Sequence, residues 1–160
     1  MSDSHLSPAA QASRSNPSFK PRVTVAVVVE QQGRYLLVEE LIGGKPVFNQ
    51  PAGHLDPDET LVDAAKRETM EETGCEVHPY ALVGIYQLNV RGRHFVRFTF
   101  AAKLVREHSE RELDVGILRA AWLTRDEIAQ TERLRSDMVL RSIDDYLSGR
   151  RVDLDLLAHL

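Results

Sequence analysis

The segment TLVDAAKRETMEETG, Thr60 to Gly74, constrains this chain more than any other. Thr60 is a good N-cap, and Asp63 follows at the spacing of a capping box. Gly74 stands where a left-handed residue ends a helix, so a helix is predicted from Thr60 to about Thr73. At about 100° per residue, with Glu68 set to zero, Glu72 falls at about 40° and Glu71 at about −60°. Leu61, Ala64 and Ala65 fall on the same stripe, at about 20°, −40° and 60°. The stripe is therefore apolar in its first two turns and acidic in its last two. Such a helix packs its start on a core and turns its end toward a cleft.

That arrangement opposes local stability. Glu68 and Glu72 are like charges at i and i+4, unfavourable by roughly 0.2–0.5 kcal/mol. All three glutamates sit in the half where the helix dipole disfavours anions, by roughly 0.3–1 kcal/mol each. Arg67 offsets part of this through its i,i+4 relation to Glu71. A solvated acidic face is the ordinary explanation for one acidic helix. Here a Pro51-Ala52-Gly53 turn and Glu59 lie just upstream, and the glycine allows its backbone carbonyl to approach a ligand. Carboxylates gathered on an inward stripe suit a hard divalent cation bound through oxygen, magnesium or else manganese.

The rest of the chain supplies a frame. Val23 to Glu30 reads as a strand buried on both faces, Tyr35 to Glu40 as its return, and Val47 to Gln50 as a short strand entering the turn. Tyr80 to Val90 and His94 to Val105 form a hairpin about Arg91-Gly92-Arg93, followed by a charged loop over Glu107 to Asp114 and a short strand at Arg119 to Leu123. Thr124 and Glu127 form a second capping box. Ser136 to Leu147 places Val139, Ile143, Tyr146 and Leu147 on one helical face. Strands, a helix, strands and closing helices imply an α+β fold, an α/β/α sandwich around a mixed β-sheet. Residues 1–18 read as a disordered tail, 19–151 as one domain, and 152–160 as a C-terminal tail.

Charge and composition narrow the function. The 160 residues carry 20 Lys+Arg against 24 Asp+Glu, a net charge of −4. This argues against nucleic acid as a partner. A small phosphorylated substrate remains compatible, because a bound cation supplies positive charge. One cysteine excludes an internal disulfide, and no apolar run approaches the ~20 residues of a membrane span. The expected compartment is the cytoplasm. No Cys/His spacing suggests zinc, and neither a nucleophile elbow nor a P-loop is present.

Gly53, Glu59, Arg67-Glu68, Glu71-Glu72 and Gly74 together resemble the Nudix box, G-x5-E-x7-R-E-U-x-E-E-x-G-U, where U is a bulky apolar residue. With residue frequencies of several per cent, a chance match is on the order of one in a million. Thr69 departs from the usual Ile, Leu or Val, and its hydroxyl makes it an imperfect substitute. Cys75, in the last apolar slot, reads as a small buried hydrophobe. The segments FKPRVTVAVVVE, VFNQPAGHLDPDETLVDAAKRE, FVRFTF and LRSDMVLRSI extend the similarity to a bacterial phosphatase branch of that family.

The resemblance implies a Nudix sandwich and metal-dependent release of orthophosphate from nucleoside di- and triphosphates. It also implies action on hydroxymethylpyrimidine pyrophosphate or thiamine pyrophosphate, and a monomer. A pyrophosphate-releasing house-cleaning enzyme and a non-catalytic ligand sensor are the alternatives. Glu68 and Glu72 are expected as the main magnesium ligands, joined by Glu71 and the Gly53 carbonyl. Glu71 or Glu72 is the expected general base, with Glu107, Glu110 and Glu112 as remote candidates. Arg67 is expected to brace Glu59 or Glu71, or else to touch a phosphate; Glu59 and Gly74 support the box. Gln50 and Phe48 are expected as substrate contacts. Arg97 joins them if it turns inward. His54 stands near the cleft, and Trp122 reads as core.

Overall fold

The computed structural model describes residues 19–90 and 92–159. The expected tail over 1–18 lies outside them, as does Arg91 of the hairpin turn. The described residues form seven strands: β1 (Arg22–Gln31), β2 (Arg34–Ile42), β3 (Lys45–Asn49), β4 (Ala52–His54), β5 (Cys75–Val90), β6 (Arg93–Glu107) and β7 (Ile117–Thr124). Three α-helices accompany them, α1 (Leu61–Thr73), α2 (Arg125–Gln130) and α3 (Met138–Leu147), with a 3-10 turn at Leu154–Leu156.

The sheet forks. β1 pairs with β2 only through Glu30–Tyr35 and Gln31–Arg34. On one branch β1 runs antiparallel to β4 and parallel to β6, and β6 pairs antiparallel with β5. On the other, β2 pairs antiparallel with β3 and β7. The single parallel pair makes the sheet mixed, as the order of elements implies.

Alternation along β1 builds two cores. Val25, Val27 and Val29 join Ala64 and Ala65 of α1 and Phe100 of β6 in one. Val28 joins Leu37, Phe48, Ile128, Val139 and Ile143 in the other, under α2 and α3. Burial on both faces explains the unbroken apolar run from Val25 to Val29, and helices on both sides complete the sandwich. Tyr146 packs at the edge of the second core, whereas Leu147, placed on that face by periodicity, is 54% exposed at the last turn of α3.

Helix α1 begins and ends as its sequence dictates. Thr60 Oγ1 accepts from the Asp63 amide at 3.0 Å, and Gly74 takes φ 68° while its N–H bonds the Met70 carbonyl. The box is not reciprocal: Thr60 Oγ1 donates to the Asp63 carboxylate instead. At Thr124 and Glu127 both halves of the box are present. Thr69 is fully buried, and its hydroxyl donates to the Ala65 carbonyl at 2.7 Å. This bond removes the penalty of a polar residue in an apolar slot.

Two differences from expectation matter. β5 begins at Cys75, directly after Gly74, so the helix passes into its strand with no loop between. Residues 152–159 also do more than trail. Val152 exchanges both backbone hydrogen bonds with Leu82, and Leu154 and Leu157 pack on the first core. Apolar residues two and five positions beyond Val152 give that segment a surface to bury. No helix among the described residues is long and apolar enough to cross a membrane.

Candidate active site

The site is built where β4 meets the second half of α1. The Glu68 carboxyl lies in the hollow left by the missing Gly53 side chain. A Cβ on Gly53 would stand 2.0 Å from Glu68 Cδ. The glycine is required for room; its φ is not in the left-handed region.

Arg67 organises the carboxylates. Its Nε and Nη2 donate to the two oxygens of Glu59 at 2.8 and 2.9 Å. Nη1 donates to Glu68 at 2.8 Å and to Glu71 at 3.0 Å, and Nη2 also reaches the His54 carbonyl at 3.0 Å. A guanidinium has five N–H groups, and all five are engaged. Of the two expectations for Arg67, bracing is therefore the one its geometry matches; nothing is left for a phosphate. Glu59 holds the Arg67 pKa well above even the ordinary arginine range, and Arg67 in turn holds the Glu59 carboxyl below the usual range.

The two inner glutamates behave differently. Glu72 accepts from the Ala52 N–H at 2.9 Å. Burial pushes its pKa up to about 8, and Glu68, Glu40 and Asp114 add repulsion. Glu68 is 12% exposed. Burial raises its pKa, against the opposing pull of Arg67. Glu71 is the more open of the three, 30% exposed.

These residues fit a hard divalent cation. The donors are all oxygen, two carboxyls are largely buried, and one of them rests on the Gly53 backbone. Among the described residues no three carboxylates converge on a point as they stand. Glu68 and Glu71 lean on Arg67, and Glu72 on the Ala52 amide. Positions i, i+3 and i+4 are nevertheless neighbours on one helix face.

A cavity of about 240 Å³ opens beside Gly53. Thr24, Arg97 and His54 line it from one branch of the sheet, and Glu40 and Asn49 from the other. Arg97 points inward. It stands opposite Thr24 on β1, which stands opposite His54 on β4.

Phe48 and Gln50 do not line this cavity, contrary to their assignment as substrate contacts. Phe48 is 3% exposed and packs in the second core. Gln50 is buried and donates to the Val139 carbonyl at 3.0 Å. Side chains alternate along a strand, so Asn49 between them faces the cavity. Strand parity carried that signal; the apolar environment of Phe48 decides which parity points inward.

The charged loop also differs. It brings Asp114 close to the site, where its amide bonds the Glu71 carbonyl at 3.1 Å and its charge raises the pKa of both Glu68 and Glu72. Sequence reasoning considered only the glutamates of that loop and passed over the aspartate. Glu40 and Arg135 were missed too. They pair at 3.1 Å on the cavity wall, from segments 95 residues apart. Cys75 is buried, and burial pushes its thiol pKa up, which suits a structural role. Trp122 packs against the first core.

Comparison with known proteins shows the family and the fold. The family model of the NUDIX domain matches residues 19–142. Phosphatase NudJ of Escherichia coli strain K12 is 44% identical over 140 residues, covering 87% of this chain and 92% of that protein. Phosphatase NudJ of Shigella flexneri matches to the same extent. Among solved structures, a NUDIX hydrolase from Nitrosomonas europaea superposes with a TM-score of 0.86 at 46% identity, over 88% of this chain and 98% of that one. A MutT protein from Methanosarcina mazei Go1, at 20% identity and a TM-score of 0.68, shares the fold.

Proposed function

The chain belongs to the Nudix family of enzymes, which hydrolyse phosphoric anhydrides, and from that premise we propose that it is a magnesium-dependent phosphatase releasing orthophosphate from small phosphorylated substrates. The observation that carries this reading is the set of three glutamates on one face of α1, Glu68 and Glu71 held by Arg67 and Glu72 by the Ala52 amide, with Glu68 seated against Gly53. Nucleoside di- and triphosphates are the proposed substrates, together with hydroxymethylpyrimidine pyrophosphate or thiamine pyrophosphate. Likeness to phosphatase NudJ over most of both chains supports orthophosphate as the product. The working unit is proposed as a monomer in the cytoplasm.

Glu68, Glu72, Glu71 and the Gly53 carbonyl would hold the cation, magnesium or manganese. A bound divalent cation neutralises phosphate oxygens and acidifies water at the anhydride. The chain's own residues supply the rest. Glu71 or Glu72 takes the proton of the attacking water. The bidentate Arg67–Glu59 pair fixes the guanidinium, and the guanidinium aims Glu68 and Glu71. The Ala52 amide holds Glu72 at the edge of β4. Arg67 stays charged throughout, so this bracing is insensitive to pH in the neutral range.

The test separates products. The purified chain is incubated with magnesium and a nucleoside diphosphate, a nucleoside triphosphate, hydroxymethylpyrimidine pyrophosphate or thiamine pyrophosphate. Orthophosphate and pyrophosphate are then measured independently. Orthophosphate, lost on adding EDTA, is the expected result. Predominant pyrophosphate from triphosphates reassigns the chain to nucleotide pyrophosphohydrolysis. EDTA-resistant turnover overturns the metal assignment.

A further inference from the structure

The cavity beside Gly53 is lined by a guanidinium, that of Arg97, two of whose three nitrogens find no hydrogen-bond partner among the described residues. Nε and Nη1 of Arg97 are sealed from solvent and bonded to no group among the described residues. The other guanidinium of the cavity wall is engaged: Arg135 pairs with Glu40 at 3.1 Å. Thr24 Oγ1, directly opposite Arg97 on β1, is also buried and has no partner among the described residues. The carboxylates that favour the charge of Arg97 are Glu40 and Glu72, and they bond to Arg135 and Ala52 instead. Glu40 Oε1 is itself buried without a partner.

A guanidinium does not escape burial by losing its proton at neutral pH. Left without an acceptor it weakens the fold, so a chain that retains one has a use for it that the folded protein alone does not show. The cavity is smaller than the 300–1,000 Å³ typical of whole-ligand pockets. It admits one end of a substrate whose reacting anhydride lies at the box.

We infer that Arg97, with Thr24 beside it, is the anion-binding group of this cavity and grips the phosphate that stays with the organic half of the substrate. This rests on the proposed hydrolase reading for which phosphate is retained, but not for the binding of phosphate itself. The planar fork of arginine suits two phosphate oxygens. Glu40 on the facing wall repels a second anion and leaves Oε1 for an N–H donor of the organic half. Arg97 is thereby a specificity-determining residue that binds ground state and transition state alike.

Two measurements test it on the wild type, Arg97→Met and Arg97→Lys. The first is thermal unfolding in EDTA with and without a nucleoside monophosphate. The wild type gains melting temperature with the nucleotide, and R97M does not. Without nucleotide R97M melts no lower than the wild type, because it has shed an unanswered buried charge. The second is steady-state kinetics on a nucleoside diphosphate with magnesium. R97M raises KM on the order of 10- to 100-fold, the scale of a lost charge-assisted bond, and leaves kcat within a few-fold. R97K recovers part of the loss. An unchanged nucleotide response in R97M overturns the inference, as does a collapse of kcat at constant KM. A lower melting temperature in both variants assigns Arg97 to packing and overturns it too. If the wild type turns over no anhydride, the hydrolase reading fails while the unfolding arm still reports on Arg97.

Discussion

Glu68 occupies the space that any side chain on Gly53 would fill: an added Cβ would lie 2.0–2.1 Å from all three atoms of the Glu68 carboxyl group. The contact is with the far end of a flexible side chain, so the glutamate can yield while the backbone stays. Gly53→Ala is therefore expected to keep the fold and lose the site. A displacement of about 1 Å at a reacting centre costs on the order of 10²-fold in rate. Circular dichroism should be unchanged and turnover should fall to that extent. Full activity in G53A would mean that the carboxyl has another productive position.

Glu72→Gln keeps an acceptor for the Ala52 amide and removes the charge. Loss of a base or metal ligand is expected to lower kcat by at least about 100-fold. Stability should respond in a pH-dependent way. The folded-state pKa of Glu72 is raised to about 8 from a usual 4.5. Between those values the folded chain binds more protons than the unfolded chain, so this group's contribution falls as pH rises. In EDTA, the melting temperature of E72Q relative to the wild type should climb from pH 5 to pH 8. A constant difference would show that Glu72 ionises freely in the fold.

Arg67→Lys replaces five donors in a fixed fork with three on a point charge. Glu59 then loses its bidentate partner, and Glu68 and Glu71 lose the group that aims them. A loss of about 1–3 kcal/mol in stability should accompany a 10- to 100-fold fall in activity. Weaker magnesium binding, read by titration calorimetry, distinguishes positioning from mere destabilisation. If R67K matched the wild type in metal affinity, the bracing role would be withdrawn.

Glu39 carries a second, acid-side pH dependence. It is buried and held by Arg119 at 2.7 Å and Arg133 at 2.6 Å, and these bonds lower its pKa from the usual 4.5. Here the unfolded chain binds the proton more readily. The stabilisation is complete above the unfolded value and is lost as pH falls through the folded one. Glu39→Gln should flatten the decline in melting temperature below pH 5 while lowering stability at pH 7. Parallel acid limbs in the two proteins would count against the ion pair.

Much of this site is legible in the sequence because helical geometry is local. The spacing of Glu68, Glu71 and Glu72 places them on one face of α1 whatever the rest of the chain does. Thr60 and Gly74 mark its ends through bonds within a few residues. Arg67 was legible only in part. Its link to Glu71 lies within one turn, but its grip on the His54 carbonyl depends on β4 folding back along the helix. The cavity wall is a different matter. Glu40 and Arg135 meet through the pairing of Phe48 with Arg133 and Arg135, which no local pattern encodes. Phe48 and Gln50 show the same limit. Alternation separates them from Asn49, but only tertiary packing decides which set faces the core.

The forked sheet has a consequence for how such a chain changes its diet. Glu68, Glu72 and Gly53 hang from one prong, and Glu40 and Asn49 from the other, joined at the Glu30–Gln31 end of β1 by two rungs. Mutations that remodel the far prong alter what fits, and they reach the acidic helix through the charge of Glu40, which adds to the repulsion on Glu72. Retargeting toward new metabolites is thus divided between Arg97 and Thr24 on the near prong and Glu40 and Asn49 of β2 and β3 on the far one.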